Sequence, residues 1–388
     1  MDINGRRTGA LTPRMEAAPH RRSAYPARIE TVRAAAYEVP TDRPEADGTM
    51  QWNSTTLIVV EVEAGGRTGL GYTYTGAMVV GLIQGKLAEA LQQCDAMDVP
   101  RAWHAMQGAV RNMGRDGLAA TAISAVDAAL WDLKARLLDV PLALLLGRCR
   151  DAVPIYGSGG FTTYTDDELR EQLAGWVERD GCAWVKMKIG THPDQDPHRV
   201  AVAKQAIGGR TLFVDANGAL SARHALLLAK RFAREQGVAW FEEPVSSDDL
   251  AGLRLLRDRV PGGMDIAAGE YGYSLDYFRR MLQAGAVDVQ QADLTRCGGV
   301  TGFLRVAALC EAHHTDLSGH CAPAVHLHAA CVAPGLRHLE WFHDHVRIEH
   351  MLFDGAPVPK DGLIRPDLSR PGMGLAFKQR DAERYRVA

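Results

Sequence analysis

The sequence has few of the features that assign a chain to a structural class at first sight. Its seven cysteines are scattered without CxxC spacing, so a disulfide framework is not expected. Its apolar runs, such as PLALLLG, are too short to cross a bilayer. The net charge is only −3, so neither nucleic acid nor an anionic membrane is expected as a partner.

The rest of the composition is typical of a globular enzyme. A chain of 388 residues with 46% hydrophobic and 23% charged residues can bury the cores of two domains. Thiols such as Cys182 fit a reducing compartment, which favours the cytoplasm. Residues 1–27 are rich in Arg, Pro and Ala and lack the apolar segment of a secretory signal. Asp2 and Glu16 argue against a transit peptide, so this stretch is predicted to be a disordered tail.

Residues 28–150 are predicted to form an α+β domain of three strands followed by helices. The segments TTLIVVEVEAGG and TGLGYTYTG are typical of a hairpin that turns at the Gly-Gly pair 65–66. A polar loop, TDRPEADGTMQWNS at 41–54, is expected between the first two strands. Tyr72 and Tyr74 are expected in a further loop that caps the site. Between about 78 and 147 the apolar spacing is helical.

Residues 151–354 alternate between short apolar strands and amphipathic helices. Eight strands are predicted, the first in PIYGSGG, and they are apolar on both faces, as in a parallel sheet covered by helices. Ser221 is a plausible N-cap for the helix that follows the third strand. The loop-rich segment 355–388 is predicted to pack back on the N-terminal domain.

Polar residues follow these strands at nearly even spacing, with most gaps roughly 27 residues long, about one strand–helix unit. In a parallel (β/α) barrel the ends of successive strands share one rim, where the active site lies. The pattern therefore predicts such a barrel with its active site on that rim. The residues are Lys188, Asp215, Glu242, Glu270, Asp293, His320 and Glu340.

Three carboxylates, Asp215, Glu242 and Glu270, end consecutive strands. Neighbouring strands are about 4.8 Å apart, so these groups would repel each other unless a cation lies between them. Oxygen ligands without Cys or His favour Mg²⁺, with Mn²⁺ able to substitute. Asn217 and Glu243 lie beside these ligands and could support them, or Glu243 could instead pair with Lys186.

Two candidate bases flank the carboxylates. Lys186 and Lys188 alternate along one strand, so both point into the barrel, and the charge of one is expected to lower the pKa of the other. Lys188 is predicted to be a base, with Lys186 paired to the acidic cluster. Asp293 would fix the tautomer of His320 and raise its basicity, which makes His320 the second base.

The remaining candidates have weaker support. Glu340 is expected to donate a hydrogen bond to a developing enolate if it is protonated, or else to form a structural salt bridge. His343 and His345 are placed in a loop after the last strand, on the same rim, where they could contact substrate. Tyr271 and Asn217 are further possible substrate contacts.

Seven short motifs carry a family resemblance: ALWDLKAR (129–136), VKMKIG (185–190), VDANGAL (214–220), FEEP (241–244), AGE (268–270), QAD…GGVTG (291–302) and SGH (318–320). Through them the chain resembles the mandelate racemase-like subgroup of the enolase superfamily over roughly residues 28–388. The resemblance implies an α/β fold, a modified TIM barrel (β/α)7β at 151–354 with an α+β capping domain at 28–150. It also implies homo-oligomers from dimer to octamer, one Mg²⁺ per subunit, and the ligand, base and His-partner roles given above.

The chemistry expected of this set is removal of the proton next to a carboxylate of a small-molecule substrate. Dehydration of an acid sugar to a 2-keto-3-deoxy acid is the favoured reaction, and racemisation of a 2-hydroxy acid is the alternative. The sixth strand carries Asp293 and Arg296 where the muconate-lactonizing branch typically has a Lys, which argues against a cycloisomerase or a dipeptide epimerase. A non-catalytic ligand-binding barrel would be expected to lack a base or a ligand, and none is missing.

Overall fold

The computed structural model describes residues 27–388. The predicted disordered tail at 1–27 therefore lies, apart from its last residue, outside the described residues. In the described part, no helix is long and apolar enough to cross a membrane.

The N-terminal domain begins with an antiparallel sheet in the order β1-β2-β3. The predicted turn at Gly65-Gly66 is confirmed, because Ala64 pairs with Arg67 across it. The strands are β1 (Thr31–Ala46), β2 (Gln51–Ala64) and β3 (Arg67–Tyr74).

The predicted polar loop at 41–54 is wrong for most of its length. After an irregularity between Pro40 and Glu45, β1 and β2 pair again, and only residues 47–50 form the tip of a long hairpin. Asp47 Oδ1 accepts hydrogen bonds from the backbone N–H groups of Thr49 and Met50 at 2.6 and 2.7 Å, which closes the tip as an Asx turn. Pro44 and the polar residues that indicate a loop lie in a two-stranded arm, which we call the capping hairpin (residues 41–54).

The placement of Tyr72 and Tyr74 in a capping loop is also wrong. Both lie on β3 and are buried. The Tyr72 hydroxyl donates to Glu349 Oε1 at 2.5 Å, and the Tyr74 ring stacks on His345 with centroids 3.6 Å apart. These two tyrosines therefore join the sheet to the barrel rather than cover the site.

Helices pack on one face of this sheet, as the apolar spacing predicts. The longest helix is almost wholly buried between β2, β3 and the barrel. The helices are α1 (Val79–Leu82) and α2 (Ala88–Leu91) with a π turn (Ile83–Leu87) between them, α3 (Val99–Ala109), α4 (Leu118–Leu137) and α5 (Leu142–Leu146).

Eight parallel strands close into a barrel, because the last pairs with the first. The predicted fold class, a parallel barrel with an N-terminal domain of strands and helices, is confirmed. The strands are β4 (Val153–Gly159), β5 (Trp184–Lys188), β6 (Thr211–Asp215), β7 (Trp240–Glu242), β8 (Asp265–Ala268), β9 (Val289–Ala292), β10 (Asp316–Gly319) and β11 (Leu336–Phe342).

Seven helices connect these strands and an eighth follows the last one. Three begin at side-chain caps: Thr165 and Glu168 form a capping box, Ser221 caps the helix after β6 as predicted, and Asp249 accepts from the Gly252 N–H at the start of the helix after β7. The helices are α6 (Asp166–Glu178), α7 (Asp196–Ala206), α8 (Ala222–Gln236), α9 (Leu250–Arg259), α10 (Leu275–Ala284), α11 (Gly299–Ala312), α12 (Pro323–Ala330) and α13 (His343–Leu352).

The barrel interior contains a layer of aromatic side chains and, above it at the carboxyl ends of the strands, a layer of charged side chains. Tyr156, Phe213 and Trp240 pack together as a buried cluster. Directly above it, the Trp240 indole N–H donates to Glu242 Oε2 at 3.0 Å. The packed layer thus supports the charged layer, so the charged side chains do not have room to sink into the barrel.

The C-terminal segment contacts both parts of the chain. Short strands β12 (Phe353–Asp354) and β14 (Ala376–Phe377) pair with each other, and β13 (Leu363–Ile364) runs antiparallel beside β4. Helix α14 (Gln379–Ala382) and a 3₁₀ turn (Glu383–Tyr385) follow, and Arg386 then bridges to Tyr37 on β1. This bridge is a contact of the kind predicted between the segment and the N-terminal domain.

The capping hairpin rests directly on the barrel rim. The Thr162 N–H donates to Ala46 O at 2.9 Å, and the hydroxyls of Thr162 and Thr191 donate to Asp47 O at 3.1 and 2.5 Å. Gly48 permits this close approach, because a Cβ there would lie 2.4 Å from Ala216 O. The tip is thereby held over the ends of β5 and β6.

We expect Gly48→Ala to lift the hairpin tip without unfolding the barrel. The added methyl group cannot fit 2.4 Å from a backbone oxygen, so the tip must move. Hydrogen exchange at the Thr162 amide should become faster, because that amide loses its hydrogen bond to Ala46.

The matched control is Gly108→Ala on α3, where a Cβ would meet no atom within 4 Å. It should leave exchange at Thr162 unchanged. Unaltered exchange in the Gly48 variant would contradict the docking described here.

Candidate active site

Three buried carboxylates meet at the carboxyl ends of adjacent strands. Asp215 and Glu242 are register partners on β6 and β7, and Glu270 follows β8 after Gly269. Gly269 has φ +140, and a Cβ there would lie 2.0 Å from Gln291 O, so glycine is required at the turn into Glu270. One oxygen from each of the three carboxylates lies within 4.8 Å of the others.

The chemistry of this group fits a magnesium ion. All three donors are hard carboxylate oxygens. Glu270 Oε2 is buried and accepts no regular hydrogen bond, so it is available as a ligand atom. Asp215 Oδ1 is oriented by the Asn217 N–H at 2.9 Å. These residues would hold Mg²⁺, as the sequence predicts.

The two lysines of β5 lie against the carboxylates, as predicted from their alternation. Lys186 Nζ is 2.5 Å from Glu242 Oε1 and 2.8 Å from Glu340 Oε1, so it pairs with the acidic cluster. Lys188 Nζ is 2.5 Å from Asp215 Oδ2 and 3.0 Å from Asn217 Oδ1. Glu243 does not pair with Lys186. Of the two roles considered for Glu243, support of the neighbouring metal ligands is therefore the one that remains.

The expected lowering of the Lys188 pKa is not what the local charges produce. Burial, which has the largest effect, and the charge of Lys186 both lower it, but the carboxylates of Asp215, Glu270 and Glu242 together outweigh them and raise the Lys188 pKa above its ordinary value. A dication held by Asp215 opposes that effect, because it offsets the charge of the carboxylate.

The predicted pairing of Asp293 with His320 is present. Asp293 Oδ2 lies 2.8 Å from His320 Nδ1, and its Oδ1 accepts from the N–H and hydroxyl of Thr295, both at 2.7 Å. Burial alone would raise the Asp293 pKa, but the hydrogen bond from His320 and the charge of Arg296 hold it below the usual range. Asp293 is therefore a fixed carboxylate that leaves His320 Nε2 directed at the site, 3.3 Å from Glu270 Oε2.

Glu340 is held as an ion pair, and the protonated form expected from the sequence is not supported. Burial would raise its pKa, but Lys186 and then His320 bring it below the ordinary range. Its oxygens accept from the Ser158 hydroxyl at 2.6 Å and the Cys321 N–H at 3.0 Å. The other alternative, a salt bridge, matches this geometry, and Glu340 then orients Lys186 rather than donating a proton.

Asn217 and Tyr271, two predicted substrate contacts, border the same groove. Both line a groove of about 540 Å³ on the rim, together with Glu243 and Tyr277. Tyr271 is 40% exposed and its ring lies 5.6 Å from the Arg296 guanidinium. The groove is thus open to solvent next to the carboxylates.

His343 and His345 do not lie in a loop, which corrects the prediction for both. They occupy the first turn of α13. His343 Nε2 lies 3.0 Å from Asp42 Oδ2, and His345 is buried against Tyr74 and accepts from the Ala322 N–H at 3.3 Å. Burial lowers the His345 pKa to about 3, so it is a neutral packing residue.

Sequence reasoning missed residues that support the site from within. Cys321 Sγ lies 3.3 Å from both His320 Nε2 and Glu340 Oε2, and Ser158 and Trp240 each hydrogen-bond a glutamate. The only signal for Cys321 was that it directly follows His320. Ser158 and Trp240 gave none, because both belong to apolar strands.

Family comparison agrees with this geometry. The model for the mandelate racemase/muconate lactonizing enzyme N-terminal domain matches residues 30–147. The model for the enolase C-terminal domain-like family matches residues 168–382.

Individual proteins are similar over most of their length. A 3,6-anhydro-alpha-L-galactonate cycloisomerase from Streptomyces coelicolor is 34% identical over 90% of this chain and 97% of its own. The structure of a mandelate racemase/muconate lactonizing enzyme-like protein from Rubrobacter xylanophilus is 53% identical, covers 93% of this chain and 100% of its own, and gives a TM-score of 0.91. L-talarate/galactarate dehydratase from Salmonella typhimurium LT2, solved with Mg and L-lyxarohydroxamate, gives 27% identity, 98% coverage of both chains and a TM-score of 0.85.

These relatives weaken one argument made from the sequence. The absence of a strand-six lysine argues against a cycloisomerase, yet a cycloisomerase is among the similar proteins. They agree with the predicted cofactor, because magnesium is bound in the dehydratase structure.

We expect Glu270→Gln to weaken Mg²⁺ binding by at least roughly 10- to 100-fold, since a ligand carboxylate is lost. Isothermal titration of the purified protein with Mg²⁺ measures this directly. Glu243→Gln is the matched control, because Glu243 is equally buried beside the site but lies outside the three-carboxylate group. Its affinity should fall much less, and an equal loss in both variants would contradict the ligand assignment.

Proposed function

The chain belongs to the mandelate racemase/muconate lactonizing enzyme family of the enolase superfamily, and from this premise we propose that it is a Mg²⁺-dependent acid-sugar dehydratase. It removes the α-proton of a sugar acid and forms a 2-keto-3-deoxy acid. One observation carries the proposal: two candidate bases flank three clustered carboxylates on a single barrel rim. Lys188 ends β5, before the ligand strands β6–β8, and His320 directly follows β10, after them.

The two bases act on the proton at the α-carbon. Either Lys188 Nζ or His320 Nε2 accepts it, and the conjugate acid of a base then protonates the β-hydroxyl, which leaves as water. Asp293 positions His320 by holding Nδ1, and Lys186 is held by Glu242 and Glu340. Bound Mg²⁺ supplies positive charge that stabilises the negative charge developing on the substrate carboxylate.

Racemisation of a 2-hydroxy acid is the second candidate, because it needs the same two bases. It follows when no β-hydroxyl leaves and the opposite base returns a proton. Cycloisomerisation begins with the same abstraction and is a third outcome for which any assay must look. A non-catalytic ligand-binding barrel is disfavoured by the complete set of bases and carboxylates.

Other features of the proposal rest on sequence and resemblance. Residues 28–150 cap the barrel at 151–354, and residues 355–388 brace the two parts. The enzyme is a cytoplasmic homo-oligomer, with Mn²⁺ able to replace Mg²⁺. Its partner is a small carboxylate substrate, without nucleic acid or membrane.

A library of mono- and diacid sugars, assayed for keto-acid with Mg²⁺ present, tests the proposed reaction. We expect keto-acid from at least one member and none after EDTA treatment. Proton NMR of the same mixtures detects epimers and cyclic isomers. An epimer or a cyclic isomer without keto-acid would replace dehydration by one of the alternatives, and no conversion of any member would contradict the proposal.

Lys188→Ala and His320→Asn should each lower kcat by about 10²- to 10⁴-fold on the substrate that the screen identifies. Lys230→Ala and His198→Asn are the controls, since both residues are exposed on helices outside the site and should leave turnover intact. Full activity in the Lys188 or the His320 variant would remove that residue from the mechanism.

A further inference from the structure

We propose that the chain carries a second cation site, distinct from the three-carboxylate group, at the seam between the capping hairpin and helix α13. The site takes a divalent transition-metal ion of the Zn²⁺ class. Asp42, Glu45 and His343 each offer one ligand atom, and these atoms lie within 4.8 Å of one another. None of these residues belongs to the site described above.

An unpartnered buried carboxyl group is the observation that points to a ligand. Glu45 is fully buried, its Oε2 accepts from the Trp52 indole N–H at 2.8 Å, and its Oε1 has no hydrogen-bond partner. Next to it, the buried Asp344 uses Oδ1 to bind Arg347, while its Oδ2 is also unpartnered. Buried carboxyl oxygens without a partner carry a desolvation cost that a cation would offset.

The charges of the seam balance with a dication. If ionised, Asp42, Glu45 and Asp344 carry three negative charges, and Arg347 supplies one positive charge. A divalent ion beside a neutral imidazole would leave the group without net charge.

The donor set selects the class of ion. An imidazole nitrogen among carboxylate oxygens suits Zn²⁺ and its neighbours in the first transition series, whereas Mg²⁺ and Ca²⁺ favour all-oxygen sites. His343 and Asp42 side chains are 24% and 44% exposed, so an ion can enter from solvent and reach Glu45 beneath them.

The position of the site gives the ion a mechanical consequence. Asp42 and Glu45 lie on β1 in the capping hairpin, and His343 and Asp344 lie on α13, immediately after barrel strand β11. A bound ion would therefore tie the hairpin to the barrel.

Zn²⁺ titration of the full-length protein under saturating Mg²⁺ tests the proposal. In isothermal titration, the wild type should bind one more equivalent of Zn²⁺ than His343→Gln or Asp42→Asn. If these variants still bind that equivalent, their affinity for it should be at least roughly 10- to 100-fold weaker. His198→Gln is the matched control: His198 also lies 2.8 Å from a partly exposed carboxylate, Asp166, but is not part of a three-ligand group. It should bind Zn²⁺ as the wild type does.

Thermal unfolding provides a second readout that does not depend on activity. Zn²⁺ should raise the melting temperature of the Mg²⁺-loaded wild type and of His198→Gln, because it binds only the folded seam, and should have no such effect in His343→Gln. Equal Zn²⁺ stoichiometry and affinity in the wild type and His343→Gln would overturn the proposal, as would an equal loss in the His198 control. The partial exposure of His343 and Asp42 makes it possible to substitute them without disturbing the core.

Discussion

Acidic side chains buried together at one end of a barrel are the constraint on which the rest of this structure depends. Asp215, Glu242, Glu270 and Glu340 are all buried at the same rim. Such a group is stable only with compensating charge, since isolated buried carboxylates would otherwise protonate or repel each other. Lys186 supplies part of that positive charge, because its Nζ lies close to the carboxylates of Asp215, Glu242 and Glu340. A dication among Asp215, Glu242 and Glu270 supplies more.

The same constraint explains why side chains of the same type have different roles in the site. Lys186 is surrounded by acids and orients them, whereas Lys188 contacts one carboxylate and one amide, which leaves it nearer the open rim. Glu340 is tied to Lys186, and Asp293 is tied to His320. Each base also has fixed neighbours, Asp215 and Asn217 for Lys188 and Asp293 for His320, which is how a preorganised site lowers a barrier without rearrangement.

The sequence was most informative where functional residues recur with the length of one strand–helix unit. Even spacing of polar residues after apolar strands located the barrel and the three carboxylates, because strand register brings such positions together. It failed at the capping hairpin, where Pro44 and polar residues form strands that are held by contacts with the barrel. It also misplaced His343, His345, Tyr72 and Tyr74, because contacts between distant parts of the chain leave no local pattern. The protonation of Glu340 could not be inferred without the position of Lys186.

Transfer of the α-proton to a base of the protein is the central claim, and a substrate deuterated at the α-carbon tests it most directly. When the Mg²⁺-loaded enzyme converts such an acid, the account predicts slower turnover than with the protiated acid. It also predicts that most of the deuterium appears in the solvent, because Lys188 or His320 takes it from the carbon. Complete retention of the deuterium in the product, without an isotope effect, would contradict the account.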